Sequence, residues 1–143
     1  MCSKRLVIPL CSQPFRWFVV VGVTIAIVIL SLVPPPTDIQ SAGQSDKIFH
    51  FFAYFGLAGT LTYATIELRS RPQIRALFIF AGAVGISLGV ELLQAILPYR
   101  YFTLGDLLAN VLGAGLMLLW FPVEQYVDYV SLAEYLDITS DND

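Results

Sequence analysis

Four long apolar runs dominate this chain and constrain its fold more than any other feature. A helix needs about 20 mostly apolar residues to cross the roughly 30 Å hydrocarbon core of a bilayer. The runs of that length are 15–33, 48–66, 74–97 and 104–121. Prolines follow the first, third and fourth runs, beginning at Pro34, Pro98 and Pro122, and proline interrupts a helix. The sequence therefore predicts an all-α fold, a four-transmembrane-helix bundle.

The composition agrees with a membrane protein. The chain is 57% hydrophobic and 13% charged, whereas a soluble domain carries about 25% charged residues. No basic patch is present and the net charge is −3, so nucleic-acid binding is not expected. We predict a cytoplasmic N-terminal segment (1–14), a four-span membrane domain (15–121) and an acidic cytoplasmic tail (122–143). Within the tail, 123–136 is expected to form an amphipathic helix against the arginine-rich loop between the second and third runs.

The distribution of Lys and Arg predicts the orientation, because cytoplasmic loops are enriched in these residues. Six of them flank the start of the first run or lie around the loop between the second and third runs: Lys4, Arg5, Arg16, Arg69, Arg71 and Arg75. The other side has only Lys47 and Arg100. Both termini are therefore expected in the cytoplasm, and the loops after the first and third runs outside.

Polar residues inside the runs converge in this topology. His50 lies in the second run, Glu91 and Gln94 in the third, and Asp106 and Asn110 in the fourth. A charged side chain at the bilayer centre costs at least about 2.5 kcal/mol, so such residues usually serve a function. Every one of them falls towards the outer end of its helix. The predicted outward-facing ligand-binding site consists of Asp46, Lys47, His50, Tyr54, Glu91, Gln94, Arg100, Asp106 and Asn110.

Each of these residues also has a simpler explanation. Asp46 and Asp106 could cap helices, Lys47 and Arg100 could extend to the headgroups, and amides could join helices. The catalytic candidates are His50, Glu91 and Asp46, with His50 as a general base oriented by a carboxylate. A metal held by His50, Glu91 and Asp106 has suitable donors, but a single histidine without paired ligand spacing predicts no metal site and no cofactor.

Small residues on the third run suggest self-association. Gly85 and Gly89 have the spacing that lets helix backbones approach, and Gly82 lies on the same side. We expect these three glycines to support a homo-oligomer. The chain has no internal repeat, which argues against a transporter.

The polar residues also form a recognisable pattern. It reads Asp46-Lys47-x-x-His50, then Glu91-x-x-Gln94, then Arg100 and Asp106-x-x-x-Asn110-x-x-Gly113. This pattern, over the second to fourth runs, resembles the VanZ-like family of small bacterial membrane proteins. The resemblance implies a multi-pass protein of the bacterial inner (cytoplasmic) membrane, related to one associated with low-level teicoplanin resistance.

Two functions remain open from the sequence. The first is binding or modulation of an amphiphilic envelope component, a lipid headgroup or a lipoglycopeptide such as teicoplanin, by the outer polar site. The second is an intramembrane enzyme that acts on an envelope lipid by general acid/base chemistry. In either case the expected partner is a membrane lipid or lipid-linked molecule.

Overall fold

The computed structural model describes residues 5–34, 42–99 and 103–140, and this part of the chain is mostly helical. The first half contains β1 (Leu6–Leu10), α1 (Gln13–Leu32), α2 (Ala42–Ala64) and a single 3₁₀ turn at Ile66–Leu68. The second half contains α3 (Pro72–Ala95), α4 (Leu104–Met117), α5 (Trp120–Glu124), β2 (Val127–Ser131) and α6 (Leu132–Ser140). The predicted helical class is confirmed, with two short strands added.

The long helices alternate in direction. At the start of α1, the Arg16 side chain donates a hydrogen bond to the backbone carbonyl of Tyr63 near the end of α2, at 3.1 Å. At the other end of the molecule, the Gln94 amide of α3 donates to the Ser31 carbonyl of α1, at 2.8 Å. The core between the helices consists of Val20, Ile27, Tyr54, Leu57, Ala58, Leu61, Ala64, Ile79, Ala83 and Ala114.

The most extensive helix contact joins α2 and α4, and Gly113 makes it possible. A Cβ atom on Gly113 would lie 2.2 Å from the backbone oxygen of Phe51 and 3.1 Å from the backbone nitrogen of Phe55. No side chain fits at that distance, so only glycine allows the two backbones to approach this closely. Gly113 thereby lets the second half of α4 pack directly against the middle of α2.

Three helices in the described ranges are long and apolar enough to cross a membrane: Gln13–Leu32, Pro72–Ala95 and Leu104–Glu124, the last comprising α4 and α5. They correspond to the first, third and fourth apolar runs. Their outward surfaces carry large exposed apolar side chains, including Phe18, Leu77 and Leu112. Although α2 has 23 residues, its polar residues lower its hydropathy and it is not among the three.

Two predicted helix boundaries are wrong, and both errors have a physical cause. The second helix begins at Ala42, earlier than its apolar run, because polar residues can continue a helix beyond the apolar stretch. Pro122 does not end the fourth helix but lies in the first turn of α5. There the missing N–H costs little, because first-turn N–H groups have no partner within the helix.

The end of the chain differs from the expected amphipathic helix over 123–136. Residues Val127–Ser131 form β2, which pairs in parallel with β1, from Leu6 opposite Val127 to Leu10 opposite Ser131. β-Branched and aromatic residues favour strands, but the pairing partner lies at the other end of the chain, where local periodicity cannot reveal it. The expected packing against the arginine-rich loop does occur, since Arg69 donates to the Val127 carbonyl at 2.9 Å.

Candidate functional site

A cluster of buried polar side chains lies where α2 begins, α3 ends and α4 begins. We define the polar cluster as Asp46, His50, Tyr54, Ser87, Glu91, Asp106 and Asn110. All except Asp46 are buried, each at 5% exposure or less. Three helices contribute, and their alternating directions bring these residues together. The predicted convergence of His50, Glu91, Asp106 and Asn110 at one end of the molecule is therefore present in the structure.

One part of the cluster combines an imidazole with two carboxylates. Asp46 and His50 are one helical turn apart on α2, with Oδ2 of Asp46 3.9 Å from Nε2 of His50. That separation is too long for a direct hydrogen bond. Asp106 approaches from α4, and ligand atoms of these three residues all lie within 4.8 Å of one another. Nδ1 of His50 is buried and has no hydrogen-bond partner among the described residues.

Glu91 lies deeper in the cluster and is fully buried. Neither carboxylate oxygen accepts a hydrogen bond from the described part of the chain, and the backbone N–H of Thr103 faces it without reaching hydrogen-bond geometry. Its carboxylate is close enough to Asp106 and Asp46 to interact with their charges. Buried polar groups are nearly always hydrogen-bonded in native proteins, so the Glu91 carboxylate has unused capacity for a ligand or a proton.

The remaining cluster residues join α2, α3 and α4. Nδ2 of Asn110 donates to Oγ of Ser87 at 2.7 Å. Oδ1 of Asn110 and the hydroxyl of Tyr54 are buried, and within the described ranges neither has a hydrogen bond of good geometry, although the Tyr54 hydroxyl lies near Ser87. Ser87 was not among the residues predicted for the site, although it lies one helical turn before Glu91, on the same face of α3.

Two predicted site residues have other positions, and a third lies outside the described residues. Gln94 bonds to the Ser31 carbonyl and so joins α3 to α1. The exposed Lys47 extends over Gly105, with Nζ 3.3 Å from where a Cβ atom of that glycine would lie. Arg100 lies outside the described residues.

The sequence analysis also missed the residue that caps α4. Oγ1 of Thr103 accepts a hydrogen bond from the backbone N–H of Asp106 at 3.1 Å, so Thr103 is the N-cap and the Asp106 side chain remains available to the cluster. The pattern Thr103-x-x-Asp106 before an apolar run predicts Thr103 as the cap, and the structure shows the hydrogen bond from the Asp106 N–H to the Thr103 hydroxyl.

A second polar network lies at the opposite end of the molecule. The buried guanidinium of Arg75 forms a bidentate pair with Glu124, at 2.6 and 3.1 Å, and Nε donates to Thr65 at 3.2 Å. Tyr129 donates to the same Glu124 carboxylate at 2.8 Å. Burial and this hydrogen bond raise the pKa of Tyr129 to about 12.

Arg16 of α1 extends this second network. Its guanidinium pairs with Glu67 in the 3₁₀ turn that follows α2. Burial acts to raise the pKa of Glu67, but the hydrogen bond and charge of Arg16 lower it below the usual range. In contrast to Glu91, the carboxylates of Glu67 and Glu124 both face arginine. The second network therefore satisfies its buried acid, and its role is to hold the helices and β2 together.

Comparison with known proteins places the chain in a family. Over 75 residues the chain is 39% identical to an uncharacterized protein of Schizosaccharomyces pombe, a match that covers 52% of this chain. The chain spans less than half of that relative, 45% of its length. No solved structure matches the chain. The VanZ/LLP1 family matches residues 8–125, which include every residue of the polar cluster. The predicted resemblance is thus confirmed, and the chain belongs to the VanZ/LLP1 family.

Proposed function

We propose that this VanZ/LLP1 protein binds the polar headgroup of an amphiphilic membrane component in its polar cluster. The observation that carries this proposal is the set of buried polar atoms with unused hydrogen-bonding capacity on Tyr54, Glu91 and Asn110. Such atoms are costly next to lipid unless a ligand satisfies them. They lie at one end of the long helices, the end that in a bilayer would meet the lipid headgroups.

We further propose that four helices cross the membrane, including α2. β1 precedes α1 and β2 follows α5, and the two strands pair. Strands can pair only on the same side of a bilayer, so the chain between them must cross an even number of times. Three crossings would separate them, whereas a fourth by α2 keeps them together. Exposed Ile48 and Phe52 give α2 an apolar outer surface.

The distribution of Lys and Arg supports an orientation with both termini in the cytoplasm. The polar cluster then faces outward, in the outer half of the bacterial inner membrane. The relative in a yeast favours a ligand that bacteria and eukaryotes share, such as a phospholipid headgroup, over a lipoglycopeptide such as teicoplanin.

The second candidate is an enzyme that acts on an envelope lipid within the membrane. It is favoured by the neighbouring imidazole and carboxylate of His50 and Asp46, since a carboxylate can orient an imidazole that transfers protons. The buried Glu91 would serve as a second proton-transfer group. Water or a substrate hydroxyl would be the nucleophile, because no serine or cysteine of the polar cluster is paired with His50.

The proposal is tested by the lipids that copurify with the full chain. Mass spectrometry should detect one lipid class enriched over the host membrane, and E91Q should remove the enrichment while the protein still inserts. E134Q, which alters an exposed acid on α6, is the control and should retain the lipid. A lipid profile that matches the bulk membrane in the wild type would contradict headgroup binding.

The same preparation distinguishes the two candidates. Incubation with the enriched lipid should leave its headgroup mass unchanged if the protein only binds. A headgroup whose mass changes with the wild type, but not with H50A, would instead establish the enzyme.

A further inference from the structure

We infer that Asp46, His50 and Asp106 form a binding site for one divalent first-row metal ion. The three side chains come from two helices, α2 and α4. Their ligand atoms lie within 4.8 Å of one another. Atoms that coordinate a tetrahedral ion at about 2.1 Å are about 3.4 Å apart, so small side-chain rotations bring all three ligand atoms onto one ion and leave a fourth position open. The site stands on this geometry and does not depend on the proposed lipid.

Burial distinguishes this group from an ordinary acidic surface patch. His50 and Asp106 are 2% and 5% exposed, and Nδ1 of His50 is buried without a partner in the described ranges. Nε2 of His50 lies 3.9 Å from Oδ2 of Asp46. This distance is longer than a hydrogen bond, but it suits two atoms that coordinate the same ion.

Glu91 is the second, independent observation that points to a cation. Its fully buried carboxylate has no hydrogen-bond donor in the part of the chain that the structure describes, yet it is close enough to Asp106 to interact with it electrostatically. Two carboxylates that face each other in an apolar environment repel strongly. A divalent cation between the helices removes that repulsion and supplies Glu91 with an opposite charge.

The donor set indicates which cation binds. One imidazole nitrogen with carboxylate oxygens suits Zn²⁺ or Mn²⁺, whereas Ca²⁺ and Mg²⁺ prefer oxygen ligands alone. A bound cation also explains how an acid-rich cluster could accept an anionic headgroup. The metal would present positive charge where the protein side chains alone present carboxylates.

The test is a metal titration of the full chain, purified in detergent without a polyhistidine tag and stripped with a chelator. After equilibration with ZnCl₂ or MnCl₂ and removal of free metal, elemental analysis should find about one ion per chain. Loss of an outer-shell partner alone typically lowers metal affinity about 10–100-fold, so H50Q and D106N should lose at least that much. E134Q is the control and should bind as the wild type does.

Thermal unfolding provides a second readout, which the wild type alone can decide. Metal should raise the Tm of the wild type and of E134Q, but not of H50Q or D106N. If a variant fails to fold, the wild-type titration alone decides. Wild-type protein that retains neither metal and shows no Tm shift would overturn the proposal. The titration measures bound metal and not bound lipid, so its failure would not contradict headgroup binding. Likewise, copurifying lipid that matches the bulk membrane would not contradict the metal site.

Discussion

At the scale of single residues, the buried acids at the two ends of the molecule differ in whether a cation and hydrogen-bond donors face them. Glu124 accepts two hydrogen bonds from Arg75 and one from Tyr129. Glu91 is equally buried but has no such partner in the described residues. Since burial of an unpaired charge is unfavourable, the contrast indicates a structural role for the first acid and agrees with the binding role proposed for the second.

Removal of the paired acid should reveal its structural role. E124Q leaves the Arg75 guanidinium buried without its counter-charge, a change that typically costs about 3–5 kcal/mol. We expect a clearly lower Tm in detergent. The matched control is D128N, which removes the exposed ion pair with Arg5 and should cost about 1 kcal/mol or less. Equal losses in the two variants would contradict a structural role for the Arg75–Glu124 pair.

At the scale of helices, the position of Gly113 on α4 determines how closely α4 can approach α2. G113A would place a Cβ atom 2.2 Å from the Phe51 carbonyl oxygen, and the two backbones must then move apart. Overpacking of this kind typically costs about 1–3 kcal/mol, which thermal unfolding in detergent should detect.

The control for this prediction is G85A on α3, where a new Cβ atom meets nothing within 4 Å. Alanine favours helix by up to about 1 kcal/mol over glycine, so G85A should not destabilise the monomer. If G113A unfolds at the wild-type temperature, the close approach of α2 and α4 is not a structural requirement. If G85A shifts the chain from a larger species to a monomer in size-exclusion chromatography, the predicted homo-oligomer uses this surface.

The structure divides the predicted glycine surface. Gly85 and Gly89 face open space, whereas a Cβ atom on Gly82 would lie 3.9 Å from Leu61 of α2. Only Gly85 and Gly89 therefore remain available to a second copy. Helical periodicity places the three glycines on one side of α3. It does not reveal how much of that side the neighbouring helix α2 covers.

The helices and the polar cluster follow from the sequence because both depend on local patterns. An apolar run of about 20 residues specifies a membrane helix, and alternating helix directions bring His50, Glu91, Asp106 and Asn110 to one end. The strands could not be predicted in this way, because β1 forms only with β2 at the far end of the chain. Likewise, the buried arginines Arg16 and Arg75 have acidic partners that are distant in sequence.

At the scale of the whole molecule, the strand pair makes a prediction about topology. In a background without the natural cysteines, Q125C should be labelled from the same side of the membrane as a chain that retains only Cys11. Y99C, at the opposite end of the molecule, should be labelled from the other side. We expect an impermeant thiol reagent to reach Y99C in intact cells and the other two only after permeabilisation.

This labelling experiment separates the crossing number from the orientation. Labelling of Cys11 and Q125C from opposite sides would establish an odd number of crossings and exclude the proposed four. Labelling of Cys11 and Q125C in intact cells, with Y99C protected, would agree with four crossings. It would contradict the predicted orientation, because both termini would then lie outside.

The pairing of β1 with β2 also bears on the order in which the protein is assembled. β1 leaves the ribosome before α1, and β2 leaves it after α5, so the two strands cannot meet until the intervening helices have been made. Until then β1 has an unpaired edge, and its five-residue length and Pro9 limit the wrong partners it can recruit. The sheet therefore forms only after α1 to α5 have been made, and only in chains whose helices cross the membrane an even number of times between the two strands.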